Sequence, residues 1–137
     1  MNKKPVLENQ FEYKGVTCVV LFMPLGYRCG YVGLPFEHKY AGNDYDDIPI
    51  NCHGGLTYSS GNLIGQIIPR WWIGFDCGHA FDGYDLEKIQ EYYGTEPQEY
   101  IKSYYEAINQ ECEIRSLEYC ENECKSIVDQ ILELSNA

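Results

Sequence analysis

Phe11 to Met23 reads FEYKGVTCVVLFM. Lys14-Gly15 is tight-turn chemistry, and the run from Val16 to Met23 is almost wholly β-branched or apolar. Two strands around that turn, the second a central one, are what this pattern predicts. Residues 1–10 read as a loose arm.

Downstream, "GYRCGYVGLP" (Gly26 to Pro35) alternates Tyr27, Cys29 and Tyr31 against Arg28, Gly30 and Val32. It reads as a strand whose glycines mark bulges or close backbone approach. "HKYAGNDYDD" (His38 to Asp47) reads as a polar loop. Its acids resemble a calcium loop but lack the distal acid that such a loop needs. "IPINCHGGLTYS" (Ile48 to Ser59) predicts a strand entering a Gly54-Gly55 kink, with a short strand beyond it. "RWWIGFDCG" (Arg70 to Gly78) predicts another strand.

The period then changes. "DLEKIQEYYG" (Asp85 to Gly94) has helical spacing and a glycine stop. Thr95 is an N-cap candidate with Pro97 in the first turn of a second helix. A last helix is expected from about Cys112 to Leu134. Leu117, Cys120, Cys124, Ile127, Ile131 and Leu134 fall at three- and four-residue steps along it, forming one apolar seam. The fold class is therefore α+β: a mainly antiparallel sheet packed by two or three C-terminal helices. One domain covers 1–137, β-rich over 11–83 and helical over 84–137. The seam looks longer than one small sheet covers, so a homo-oligomer is expected.

The chain has 137 residues and a formal net charge of -11. Residues 1–40 are slightly basic, and the negative charge lies beyond them. Such a surface repels a nucleic-acid polymer, because counterion release needs basic groups. A small anion needs only one or two local cations and backbone donors. No apolar run is long enough for a membrane span, and no leader pattern is visible, so a cytoplasmic protein is expected. Seven cysteines are an odd number without close metal-type pairing, and they read as reduced, buried, small apolar residues.

Chemistry concentrates in "CHGGLTYS" and "GFDCGHAFD", which place His53 and His79 beside glycines at strand ends. His53, Asp76, His79 and Asp82 are acceptable metal ligands, but their spacing matches no metal signature, and no metal or cofactor is assigned. His53 with Asp76, or His79 with Asp82, would make an acid–base dyad for a hydrolase. Arg28, Arg70 and the Gly54-Gly55 amides are its available anion donors. Thr57 and Ser59 lack a nucleophile elbow, and Cys52 and His53 point to opposite faces on a strand. The structural alternative is that each histidine ties a loop to a carbonyl or an Asp. For ligand binding, alternation places Trp71, Ile73, Phe75 and Cys77 on the core face. Trp72, Gly74 and Asp76 then face a pocket or solvent.

The motifs "HGGLTY" and "WWIGFDCGHA", with the ending "LEYCENECKSIVDQIL", resemble a small protein family frequent in tailed phages and prophages. The resemblance runs from about Gly26 to the C-terminus. Many small phage proteins counter host immunity, and the resemblance therefore implies action in the host-cell cytoplasm. The first expectation is a binder that sequesters a nucleotide-derived host signal. Its site would comprise Arg28, His53, Thr57, Tyr58, Arg70, Trp72, Asp76, His79 and Asp82. The alternatives are a phosphodiesterase-like hydrolase using His53, Asp76 and His79, and an acidic inhibitor that binds a host defence protein.

Overall fold

The computed structural model describes residues 3–94 and 99–135. Five strands, β1 (Val6–Tyr13), β2 (Val16–Phe22), β3 (Arg28–Leu34), β4 (Tyr58–Ser60) and β5 (Trp71–Asp76), form one sheet in the order β1-β2-β3-β5-β4. Every pairing is antiparallel. Three helices follow: α1 (Leu86–Tyr93), α2 (Glu99–Glu111) and α3 (Leu117–Ser135). The α+β class read from the pattern is the observed one.

The Lys14-Gly15 turn joins β1 to β2, with both residues at positive φ. Residues 6–10, expected in a loose arm, are instead the first half of β1. Their polar residues made them look unstructured, yet an edge strand keeps one side wet. A register shift between Leu7 and Asn9 breaks the alternation further. Asn9 then faces the helix layer, where it bonds Glu121. The strand expected to begin at Ile48 is absent; Ile48 and Ile50 are buried in a loop after the 3-10 turn Tyr45–Asp47. The Thr95 and Pro97 assignments lie outside the described residues. Asp85 caps α1 through its carboxylate to the Lys88 amide, and Gly94 closes it in the left-handed conformation that glycine adopts freely. The single helix expected from Cys112 begins at Leu117, after α2 has ended at Glu111.

The sheet is apolar on both faces. On the helix face, Cys18, Val20, Val32, Ile73 and Phe75 meet Cys120, Cys124, Ile127, Val128 and Ile131 of α3. Each valine, isoleucine or phenylalanine among them, fully buried, contributes about 1.5–3 kcal/mol. Small residues set the close helix–sheet approach. A Cβ on Gly30 would lie 2.5 Å from the Phe75 ring and 2.9 Å from Cys124 Sγ. The α3 seam is thus covered by the chain's own sheet, which removes the reason given above for an oligomer. The opposite face packs Val19, Leu21, Cys29, Tyr31 and Trp72 under Leu63, from the loop between β4 and β5. Trp72 is 1% exposed there. Alternation placed it on the correct side of β5, but a covering loop makes that side a second core and not a pocket wall.

Candidate functional site

The site is built where the chain leaves β5. The Asp76 carboxylate accepts the Gly78 amide at 2.9 Å and the Thr57 hydroxyl at 2.9 Å, fixing the turn. The next turn closes on Asp82, whose side chain is 1% exposed. Asp82 accepts from His53 Nε2 at 2.9 Å, from Arg115 Nε at 2.9 Å and from the His79 amide at 3.1 Å. The paired histidines are therefore crossed relative to expectation: His53 meets Asp82, and His79 lies beside Asp76.

These partners set the tautomer of His53. A carboxylate only accepts, so Nε2 carries the proton, and in the neutral ring Nδ1 accepts the Tyr119 hydroxyl at 2.8 Å. The His53 amide donates to Glu123 at 2.7 Å. Burial alone would raise the Asp82 carboxyl. The hydrogen bonds from His53, Arg115 and the His79 backbone outweigh that and hold it below its ordinary value. Both ring nitrogens are occupied, so His53 has no lone pair to offer a substrate proton. It ties the "HGG" loop to the Asp82 turn and to the first turn of α3.

His79 differs. Its ring fills the space that a Cβ on Gly54 would take, 2.5 Å away. Its Nε2 lies 3.2 Å from Asp76 Oδ1, within ion-pair distance, but the angle is not that of a hydrogen bond, and this buried nitrogen has no hydrogen-bond partner.

Beyond the Asp82 turn lies an open groove of about 340 Å³. Gly78, His79, Ala80, Phe81, Asp82 and Tyr84 form one wall; Ile108 and Cys112 form the other. The wall is rigid. Gly83 N donates to Glu113 O at 2.7 Å, and Glu113 N to Phe81 O at 3.2 Å. Asn109 bonds both backbone groups of Tyr84 at 2.7 Å, and the Tyr84 and Tyr105 rings stack at 3.9 Å. At the rim, Phe81 is 77% exposed and holds φ at 74°, a left-handed value unfavourable for a large side chain. Helix α2 buries no residue, and Tyr100 and Tyr104 on it are exposed. Residues 99–123 carry seven acids against two bases.

Of the residues singled out by sequence, His79 and Asp82 line the groove, and His53 stands behind Asp82. Asp76 and Thr57 brace the adjoining turn. The others lie elsewhere. Arg28 is buried, bound to Glu8, to Asp85 at 3.1 Å and to the Arg115 carbonyl at 3.0 Å. It fastens β1 to α1 and cannot meet a ligand. Tyr58 packs edge-on to Tyr31 on the second sheet face, and its hydroxyl donates to Asn62 O. Arg70 also lies on that face, its stem near Gly33 and Trp72. Sequence reasoning missed Phe81, Tyr84, Ile108, Cys112, Arg115 and Tyr119. An aromatic beside Asp82-Gly83 was the one available signal; nothing local links residue 82 to residue 115.

Burial pushes the Cys52 thiol up to about 12, so it is no thiolate at neutral pH. The two expected arginine donors are away from the groove, and Arg115 is held by Asp82 and Glu113. Among the described residues, no group of three His, Cys, Asp or Glu side chains is placed to hold a metal ion. No described helix is long and apolar enough to cross a membrane. No family model, curated protein or solved structure matches this chain.

Proposed function

We propose that this protein acts by binding another protein at the groove between the Gly78–Tyr84 turn and α2, and that it performs no chemistry on its target. One observation carries the reading. Phe81 is held out to solvent in a backbone conformation that costs about 1–2 kcal/mol, over a wall that hydrogen bonds make rigid. Strain of this kind persists at recognition sites, and an exposed aromatic beside a cleft of mixed polarity is characteristic interface chemistry. The acidic surroundings select a cationic partner surface. The resemblance to small phage proteins points to a component of host immunity as the partner, bound and inhibited in the host cytoplasm.

A photo-reactive phenylalanine at position 81 tests this in the cell that makes the protein. A discrete protein adduct at 81, absent when the probe sits at Glu37, is the expected result. No adduct, or the same adducts at both positions, overturns it.

A second reading keeps the groove and changes the occupant to a small nucleotide-derived signal. The buried His79 Nε2 favours it: it has no hydrogen-bond partner, and such a nitrogen is a costly group that a ligand can satisfy. Against it, the groove wall carries no Lys or Arg for a phosphate. Mass spectrometry of small molecules released on denaturation separates the two. An intact nucleotide derivative would replace the protein-binding reading, and a cleaved one would revive the hydrolase.

A further inference from the structure

We propose a second interaction surface, on the sheet face away from α3, where two copies of this chain dock about a two-fold axis. It is independent of the groove. The loop from Gly61 to Pro69 crosses that face as a flap. Leu63 is buried under it, and Gln66 Nε2 bonds Gln10 on the far edge strand β1 at 3.0 Å. Tyr58 and Ser60 fix its start through Asn62. Ile67, 97% exposed, and Ile64, 57% exposed, project from this anchored flap. Such isoleucines on a tethered loop are a docking surface more than a chance exposure.

Charge selects the occupant. Tyr58 to Pro69, the part of the chain's longest uncharged stretch that runs over this face, has no Asp, Glu, Lys or Arg. Two chains of net charge -11 repel, and the repulsion is least where this stretch meets itself. Arg70 and Glu12 are two of the charges beside it. The Arg70 stem lies 3.1 Å from the Cβ position of Gly33, and its guanidinium bonds only the neighbouring Pro69 carbonyl. Glu12 pairs in register with Thr17, and Thr17 with Gly33, which places Glu12 two strands away on the same face, at about 10 Å. Neither has an ion-pair partner among the described residues; Glu12 accepts only the Thr17 hydroxyl. A two-fold axis between them sets Arg70 of one copy against the partner's Glu12, twice. The face is thus self-complementary in charge as well as apolar.

Sedimentation velocity of the full chain across a concentration series tests this. A monomer–dimer equilibrium is expected. Ile67→Asp should weaken it by roughly 30-fold or more, as loss of an apolar anchor does. Arg70→Glu should also weaken it, and Arg70→Glu with Glu12→Arg should restore it. Ile67 is solvent-exposed in the monomer, so unchanged tryptophan fluorescence and unfolding midpoint will certify the fold of the variant. A monomer at every concentration overturns the proposal, as does a dimer indifferent to Ile67→Asp. Failure of the double charge reversal overturns the two-fold register. A monomer that sediments with neutral phospholipid vesicles only when Ile67 is intact assigns the surface to lipid and overturns it too.

Discussion

Replacing Asp82 with alanine is the sharpest probe of the network behind the groove. Its carboxylate is 1% exposed and accepts three donors: His53 Nε2, Arg115 Nε and the His79 amide. Removal leaves a guanidinium only 19% exposed without its main counter-charge, and an imidazole N–H and a backbone N–H without acceptors. A charged hydrogen bond contributes about 1.5–3 kcal/mol, and breaking one partner of a buried pair costs about 3–5 kcal/mol. Water admitted through the groove and the Arg115–Glu113 pair recover part of the loss. We therefore expect a loss of about 3–4 kcal/mol, a large share of the 5–15 kcal/mol typical of a domain. At roughly 3 °C per kcal/mol for this size, the midpoint should fall by about 10 °C. Thermal unfolding followed by tryptophan fluorescence reads it, since Trp72 is buried. Asp76→Ala is the control: that carboxylate is 30% exposed, so losing the Gly78 amide and Thr57 hydroxyl as donors should cost only about 1–2 kcal/mol. If Asp82→Ala and Asp76→Ala cost the same small amount, the network is not a structural tie, and the inertness assigned to His53 falls with it.

Three further outcomes follow. The Asp82 carboxyl is depressed in the folded protein, so its contribution is complete above the unfolded value of about 3.9 and is lost as pH falls through the lower folded one. Urea midpoints of the wild type between pH 5 and pH 2 should therefore drop more steeply than those of Asp82→Asn. Ile131→Ala, under the sheet at 2% exposure, should cost about 2–5 kcal/mol by equilibrium unfolding; a loss below 1 kcal/mol would mean that α3 is not packed as described. Phe81→Gly should raise stability by about 1 kcal/mol in the same assay, because glycine adopts φ 74° without strain.

The sheet and the long helix were legible because their signals are local. Val16 to Phe22 and Trp71 to Asp76 carry strand patterns, and the α3 seam repeats over its whole length. What failed depended on distant residues. Arg28 looked like a ligand donor until Glu8, twenty residues earlier, and Asp85 enclosed it. Trp72 looked exposed because alternation assumes one wet face, and the flap carrying Leu63 covers it. His53 and Asp82 were both singled out, but pairing them needs a turn that brings residues 53 and 82 together, while sequence proximity favoured His79 for Asp82. Phe81 carries no local mark of its exposure, and its left-handed backbone is invisible in sequence.

The measurement closest to the central claim is the affinity of Phe81→Gly for the protein cross-linked at position 81, determined by calorimetry beside the wild type. Binding should weaken by roughly 30-fold or more, in a variant whose unfolding midpoint has risen. Undiminished affinity would contradict it, placing the binding face away from Phe81 and its groove.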